Sequence, residues 1–270
     1  MLFRSDMILV TGHKGFIGQH LVREALWSQQ IYKVEMSHCF QFLDEFQDWK
    51  RVHLIIHQGA ISSTVEKDVN KVHKYNVDFS IKLFEKAIEY NIPVKYASSA
   101  SVYGNKNDGS VNPLNYYAIS KLQVDYWVQD NIDKFKNIQG FRYFNVYGKG
   151  EEHKKDQASP VSKFTWQIRE KGYLNLFEGS DKFYRDFVCV NDLSRLVLYN
   201  NQPSGIYDIG TGAPVSFQHV AECVAKKEGG DIRYVPFPKH LVGKYQDYTC
   251  ADVSWIKDYP FITVEEYLQV

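Results

Sequence analysis

Met7-Ile8-Leu9-Val10-Thr11-Gly12-His13-Lys14-Gly15-Phe16-Ile17-Gly18 is the stretch that decides the fold of this 270-residue chain. Four consecutive apolar residues closed by Thr11-Gly12 read as a buried strand, and the amphipathic pattern from Phe16 to about Gln29 reads as a helix. Between them stand Gly12, Gly15 and Gly18, each three residues from the next. In a strand-turn-helix setting the first glycine allows the tight reversal, the second lets backbone approach a pyrophosphate, and the third lets helix pack on strand. The helix start, with Phe16 and Ile17 in its first turn, favours an anion.

Working outward, Val52–His57, Val94–Ser98 and Ile138–Tyr143 are further buried-strand candidates, with helical patterns at about 70–90 and 115–134 between them. Strands alternating with helices predict an α/β protein with a doubly wound parallel sheet. Past Tyr147-Gly148 the composition changes to a charged run, Lys149 to Asp156. Phe187–Val190, a helix near 191–200 and a strand at Gly205–Gly210 follow. We therefore expect a dinucleotide-binding domain at 1–147, to which 187–213 returns. The segments 148–186 and 214–270 should form mainly a smaller α+β substrate-binding lobe over the carboxyl ends of the strands.

With 44% hydrophobic and 15% aromatic residues, the chain has ample material for a core. Lys+Arg and Asp+Glu are both 32, which gives no global electrostatic case for nucleic acid or an anionic membrane. Cys39, Cys189, Cys223 and Cys250 are widely spaced and suggest neither a zinc site nor a disulfide framework, so no metal is expected and a reducing cytoplasm fits. The first residues lack a signal-peptide core, and no apolar run approaches the roughly 20 residues that span a bilayer.

Tyr117 and Lys121 share a helix face at i and i+4. A phenol beside a positive charge has a lowered pKa and can accept a proton from an alcohol while a cofactor takes the hydride. In the glycine-turn fold an acidic residue after the second strand binds the adenosine ribose, and Glu35 is the candidate. A carboxylate there favours NAD, while the neighbouring Lys14 and Lys33 leave NADP open.

Taken in order, the glycine turn, His57-Gln58-Gly59-Ala60, Tyr96–Gly104, Tyr117-x-x-x-Lys121 and Arg142–Gly148 resemble the extended short-chain dehydrogenase/reductases, the NAD-dependent epimerase/dehydratase family. Gly59–Thr64, His153-Lys154, Phe177–Ser180, Arg185–Val188, Phe217-Gln218, Pro236–Pro238 and Gly243–Gln246 resemble the family's ADP-L-glycero-D-manno-heptose 6-epimerase branch. This likeness implies a Rossmann-type sheet, NAD or NADP at one per subunit, a nucleotide-diphosphate sugar as substrate and a homo-oligomer.

By the same resemblance Tyr117 would be the base on the substrate hydroxyl. Lys121 would hold the nicotinamide ribose, and Ser99 would hydrogen-bond the reacting oxygen. Oxidation at C6″, rotation of the aldehyde and reduction on its other face would need a second acid/base group, and Lys154 matches it. Gln58, Gly59, Ala60, Asn76 and Val146 would border the cofactor. Asn145, Lys163, Phe177, Glu178, Gly179, Ser180, Arg185 and Tyr245 would contact the substrate, the Arg185 guanidinium suiting pyrophosphate oxygens.

Two departures stand out. Only sixteen residues, 36–51, separate Glu35 from the strand at Val52, where the family usually has a longer loop, a third strand and an acidic adenine contact; Asp44 or Asp48 are the substitutes on offer. Asp156 and Lys163 stand where the heptose epimerases usually carry a serine and a histidine. Ser99 is followed by Ala100-Ser101 rather than the Asp-Glu of the family's dehydratases, which favours epimerisation. A UDP-hexose 4-epimerase type and a non-catalytic NAD(P)-binding relative are the alternatives.

Overall fold

The computed structural model describes residues 6–25, 30–106, 108–238 and 246–270. The chain enters on β1 (Met7–Thr11), turns into α1 (Phe16–Ala25) and returns as β2 (Gln30–Val34), parallel to β1 with Met7 opposite Gln30 and Thr11 opposite Val34. Residues 26–29 of the expected first helix lie outside the described residues.

The short segment 36–51 holds no strand. It forms α2 (Cys39–Glu45) between two short 3-10 turns, after which β3 (Val52–His57) pairs with β1 on the side away from β2. The helix substitutes packing for pairing, since Cys39, Phe42, Leu43 and Trp49 join the hydrophobic core beside Val34. Phe42 and Phe46 also lie against the Tyr32 ring, at 5.6 and 4.7 Å between centroids. The sheet consequently ends at β2.

From β3 the chain runs through α3 (Val69–Val72), a π-helical stretch His73–Asp78 and α4 (Phe79–Glu89) to β4 (Val94–Ser99), then α5 (Tyr116–Asn131) and β5 (Ile138–Tyr143). Then come β6 (Asn145–Tyr147), α6 (Pro160–Lys171), β7 (Tyr173–Phe177), β8 (Tyr184–Arg185), β9 (Phe187–Cys189), α7 (Val190–Tyr199), β10 (Gly205–Ile209) and β11 (Val215–Ser216). The last elements are α8 (Phe217–Glu228), β12 (Asp231–Val235) and α9 (Val264–Leu268). The six-stranded parallel sheet has the order β10-β5-β4-β3-β1-β2, so the winding reverses beside β1, where such sheets bind ligands. This is the doubly wound Rossmann-type fold.

Two compact units emerge, one of residues 1–102, 113–142 and 194–207, the other of 103–112, 143–193 and 208–270. In the first, Leu9, Ile55, Leu83, Phe84, Val94 and Ile138 are among the core side chains. Here Lys95 is buried and donates from Nζ to the carbonyls of Val197, Leu198 and Asn200 at 2.7, 3.0 and 3.3 Å, satisfying acceptors that the end of α7 leaves unpaired.

In the second unit, β7 pairs parallel with β12, β6 parallel with β9, and β8 antiparallel with β11. Its helices follow local chemistry. Ser159 caps α6 with Pro160 at the first helical position and left-handed Gly172 at the end; Ser216 and left-handed Gly229 do the same for α8. The fully buried Asp186 carboxylate collects Thr211 N and Oγ1 at 2.6 and 2.7 Å and Gly212 N and Ala251 N at 2.9 Å each. Replacing Asp186 with Ala removes the acceptor of the three backbone donors and leaves Thr211 Oγ1 with the Ala213 carbonyl at 3.4 Å. We expect a loss of about 3 kcal/mol or more in urea unfolding, read from the midpoint at constant slope.

Candidate active site

The glycine turn is built by close backbone contact. Gly12 has φ +69°, and a Cβ there would stand 2.7 Å from both N and Cα of Gly59; a Cβ on Gly18 would stand 2.1 Å from the Gly12 carbonyl oxygen. At Gly15 the same Cβ would meet just that oxygen, at 3.3 Å. Gly12 and Gly18 are therefore demanded by packing, while Gly15 keeps one face of the turn clear. That is the cradle a dinucleotide pyrophosphate requires, so these residues fit NAD or NADP.

Beneath the turn runs a buried polar chain that the motif readings did not include. Gly59 N donates to Thr11 Oγ1 at 3.0 Å, and Thr11 Oγ1 lies 2.6 Å from His57 Nδ1. On the other side His57 Nε2 lies 2.8 Å from Ser80 Oγ, which donates to the Asn76 carbonyl at 2.6 Å. Because Ser80 has given its proton away, Nε2 must donate to it and Nδ1 must accept from Thr11. Burial, with Lys121 adding to it, pulls His57 down to a pKa of about 3, so the ring is neutral and its tautomer is set. The adjacency of Thr11-Gly12 and His57-Gln58 in their motifs was the available signal.

Glu35 reaches the same turn. Its Oε1 accepts from Lys14 N at 2.9 Å and lies 2.9 Å from His13 Nδ1, although that pair lacks hydrogen-bond geometry. Burial lowers the His13 pKa, the Glu35 charge opposing it. Gln58 N donates to the Thr11 carbonyl at 3.3 Å; Ala60 is half-buried, Phe16 is buried and Ile17 half-buried. Asn76 is 1% exposed and its amide is spent on protein: Oδ1 accepts from Ile61 N at 2.7 Å, and Nδ2 donates to Ile61 O and Ser120 Oγ at 3.0 Å each. It therefore clamps the turn after Ala60 to α5. The π-helical stretch that carries Asn76 is a local departure of the kind found at functional sites. Of the adenine substitutes, Asp48 pairs with Arg51 at 3.1 Å and Asp44 is exposed.

Ser99 closes β4, and α5 presents Tyr117 and Lys121, its start fixed by Asn115, which accepts from Ala118 N at 2.9 Å. Ser99 Oγ accepts from Ser101 N and Ser101 Oγ at 3.2 and 2.9 Å and is hydrogen-bonded to Tyr117. Ser101 thus leaves the Ser99 proton free to point at the phenol oxygen. Lys121 Nζ donates to the Ala97 carbonyl at 2.6 Å and lies 6.0 Å from the Tyr117 ring centroid.

One expectation is corrected here: the phenol pKa is raised, not lowered. Burial drives it up and outweighs the Ser99 hydrogen bond, while burial brings Lys121 down to about 8.

In the second unit, the Lys154 ammonium lies 3.1 Å from Oε2 of Glu151, a buried carboxylate also bonded by Gly148 N, Ser159 N, Ser159 Oγ and Ser162 Oγ. Lys163 Nζ donates to the Asp156 carbonyl at 3.0 Å, and burial lowers its pKa. Asn145 and Val146 lie on β6, with Asn145 N bonded to Asp186 O at 3.0 Å. Exposed Phe177 ends β7; Glu178 N donates to the Val235 carbonyl, Gly179 is left-handed, and Ser180 is buried. Arg185 is 6% exposed, donates to the carbonyls of Tyr184 and Gln246 at 2.8 and 2.5 Å, and lies 5.5 Å from the Phe217 ring centroid. Tyr245 lies outside the described residues.

The fold and the glycine turn define an enzyme that works with NAD or NADP. A profile described as the NAD dependent epimerase/dehydratase family matches residues 8–210, and the chain belongs to that family. It is 37% identical over 289 positions to an ADP-L-glycero-D-manno-heptose-6-epimerase of Alkalilimnicola ehrlichii, covering 93% of this chain and 90% of that protein. The crystal structure of the Helicobacter pylori ADP-L-glycero-D-manno-heptose-6-epimerase is similar at TM-score 0.83 and 25% identity, over 98% of this chain and 94% of that one. The Thermotoga maritima UDP-glucose 4-epimerase shares the fold at TM-score 0.81 and 22% identity, over 97% of this chain and 96% of that one.

Proposed function

We propose that this chain is a nucleotide-sugar epimerase that inverts C6″ of ADP-glycero-manno-heptose. The observation that carries the reading is the Ser101–Ser99–Tyr117 arrangement with Lys121 one turn along α5, in a chain 37% identical to a heptose epimerase over nearly its whole length. Bound NAD(P) supplies reversible oxidation of the C6″ alcohol. Tyr117 takes the hydroxyl proton in the oxidation, Ser99 orients the reacting oxygen, and Lys121 would position the ribose beside the phenol. Lys154, held by Glu151, gives a proton to the oxygen when the other face of the aldehyde is reduced, and exchange with solvent restores both groups. Arg185 and the turn Glu178–Ser180 serve the diphosphate. Glu35 at the glycine turn favours NAD over NADP, because a carboxylate repels a 2′-phosphate.

The segments 148–186 and 214–270 would mainly serve the sugar nucleotide. A cytoplasmic homo-oligomer accompanies this reading. Among the described residues no disulfide is formed, and no helix is long and apolar enough to cross a membrane. Leu114, Tyr116, Ile119 and Tyr126 are exposed apolar or aromatic side chains in or beside α5 that a second subunit would cover.

The test is to mix the purified protein with ADP-D-glycero-D-manno-heptose and follow C6″ configuration by NMR. Conversion to an equilibrium mixture of the two epimers is expected. Inversion of UDP-hexoses alone would assign the chain to the 4-epimerase type, and no inversion of any sugar nucleotide with cofactor bound would reject the enzymatic reading.

A further inference from the structure

His219, Cys223 and Glu265 have no part in the chemistry above, yet they bring three ligand-type atoms together in the second unit. His219 and Cys223 share one face of α8 at i and i+4, and Glu265 sits in the first turn of α9, 46 residues from His219 in sequence. His219 Nε2 lies 2.5 Å from Glu265 Oε1 and 3.7 Å from Cys223 Sγ, and all three ligand atoms fall within 4.8 Å of one another.

We propose that His219, Cys223 and Glu265 bind a zinc-class divalent cation that clamps α9 to α8. A tetrahedral zinc site with bonds of about 2.0–2.3 Å has ligand-to-ligand edges of about 3.5 Å; the 3.7 Å sulfur–nitrogen separation matches this, and the 2.5 Å nitrogen–oxygen pair has to open by about 1 Å to admit the ion. Nε2 carries at most one proton, which can serve Glu265 or Cys223 but not both; a cation satisfies the pair together. The mixture of thiolate, imidazole and carboxylate is a zinc-type donor set rather than one for magnesium or calcium. The His219 and Glu265 side chains are each 38% exposed, so a hydrated ion can enter and water can keep a fourth position.

The clamp has a mechanical purpose. Val264 and Leu268 of α9 pack in the same core as Val220 and Val224 of α8, and α9 is a five-residue helix held otherwise by its Thr263–Glu266 capping box. The cluster shares no residue with the proposed reaction, so its fate does not decide that of the epimerase reading.

Untagged, reduced, full-length protein should be titrated with Co²⁺ and then Zn²⁺. The expected result is a thiolate-to-cobalt charge-transfer band that saturates at one equivalent, disappears when zinc is added, and accompanies a rise in Tm. Cys223→Ser should abolish the band, and Cys223→Ser, His219→Gln and Glu265→Gln should each weaken zinc binding on the order of a hundredfold. Cys250→Ser should leave both unchanged. The circular dichroism spectrum of each variant establishes that it is folded. Absence of the band at stoichiometric metal, or its survival in folded Cys223→Ser, would show that His219 and Glu265 form an ordinary ion pair and overturn the proposal.

Discussion

Tyr117→Phe is expected to slow C6″ inversion about a thousandfold, roughly 4 kcal/mol in activation free energy, while the purified protein keeps its cofactor and loses no more than about 4 °C in Tm. Phenylalanine preserves the ring and its packing and removes the atom that takes the proton from the sugar hydroxyl. The structural loss is a single hydrogen bond to Ser99, worth about 1 kcal/mol. The free-enzyme phenol has a raised pKa, so a base at this position must be made when ligands arrive. NMR of the heptose C6″ signal measures the rate, and absorbance of the co-purified nicotinamide measures retention. A Tyr117→Phe variant that turned over within about tenfold of the parent would remove Tyr117 from the chemistry.

The elements were legible in the sequence where a local pattern fixes a local structure. The apolar run Met7–Val10 became β1, and the spans at 52–57, 94–98 and 138–143 became β3, β4 and β5. Helix patterns at 70–90 and 115–134 were met by Val69–Glu89 and by Tyr116–Lys134, the latter ending in a 3-10 turn. The shortened 36–51 segment predicted a missing strand, but not that Phe42 and Trp49 on a helix and a turn would fill its place, because aromatic packing has no short-range signature.

The same limit hid the partners of site residues. Asn76 meets Ser120 across 44 positions, His57 meets Ser80 across 23, and Glu265 meets His219 across 46. Motif spacing says which residue types are present. Whether an amide is free for a ligand or consumed by Ile61 is decided by tertiary packing. The tyrosine pKa failed for a related reason: charge proximity is readable from i,i+4 spacing, but desolvation depends on everything packed around the group.

Gly15→Ala and Gly18→Ala separate the two demands that one glycine turn satisfies. Gly18 is the packing glycine: an added Cβ would stand 2.1 Å from the Gly12 carbonyl oxygen, 2.9 Å from its carbon and 3.0 Å from His13 Cα. All three are backbone atoms of the turn that joins β1 to α1, so no side-chain rotation relieves the clash. The helix must shift off the sheet, at an expected cost of about 3 kcal/mol in urea unfolding, at the upper end for overpacking. Gly15 has φ outside the left-handed region and one neighbour at 3.3 Å, so alanine fits after an adjustment of a few tenths of an ångström, and stability should stay within about 1 kcal/mol of the parent. Its methyl group instead stands on the face where the pyrophosphate approaches backbone, and NAD affinity, read by calorimetry on cofactor-stripped protein, should fall on the order of a hundredfold. The opposite pattern, with Gly15→Ala unfolding the chain and Gly18→Ala harmless to stability, would mean that the turn is organised by something other than the contacts between Gly12, Gly18 and Gly59.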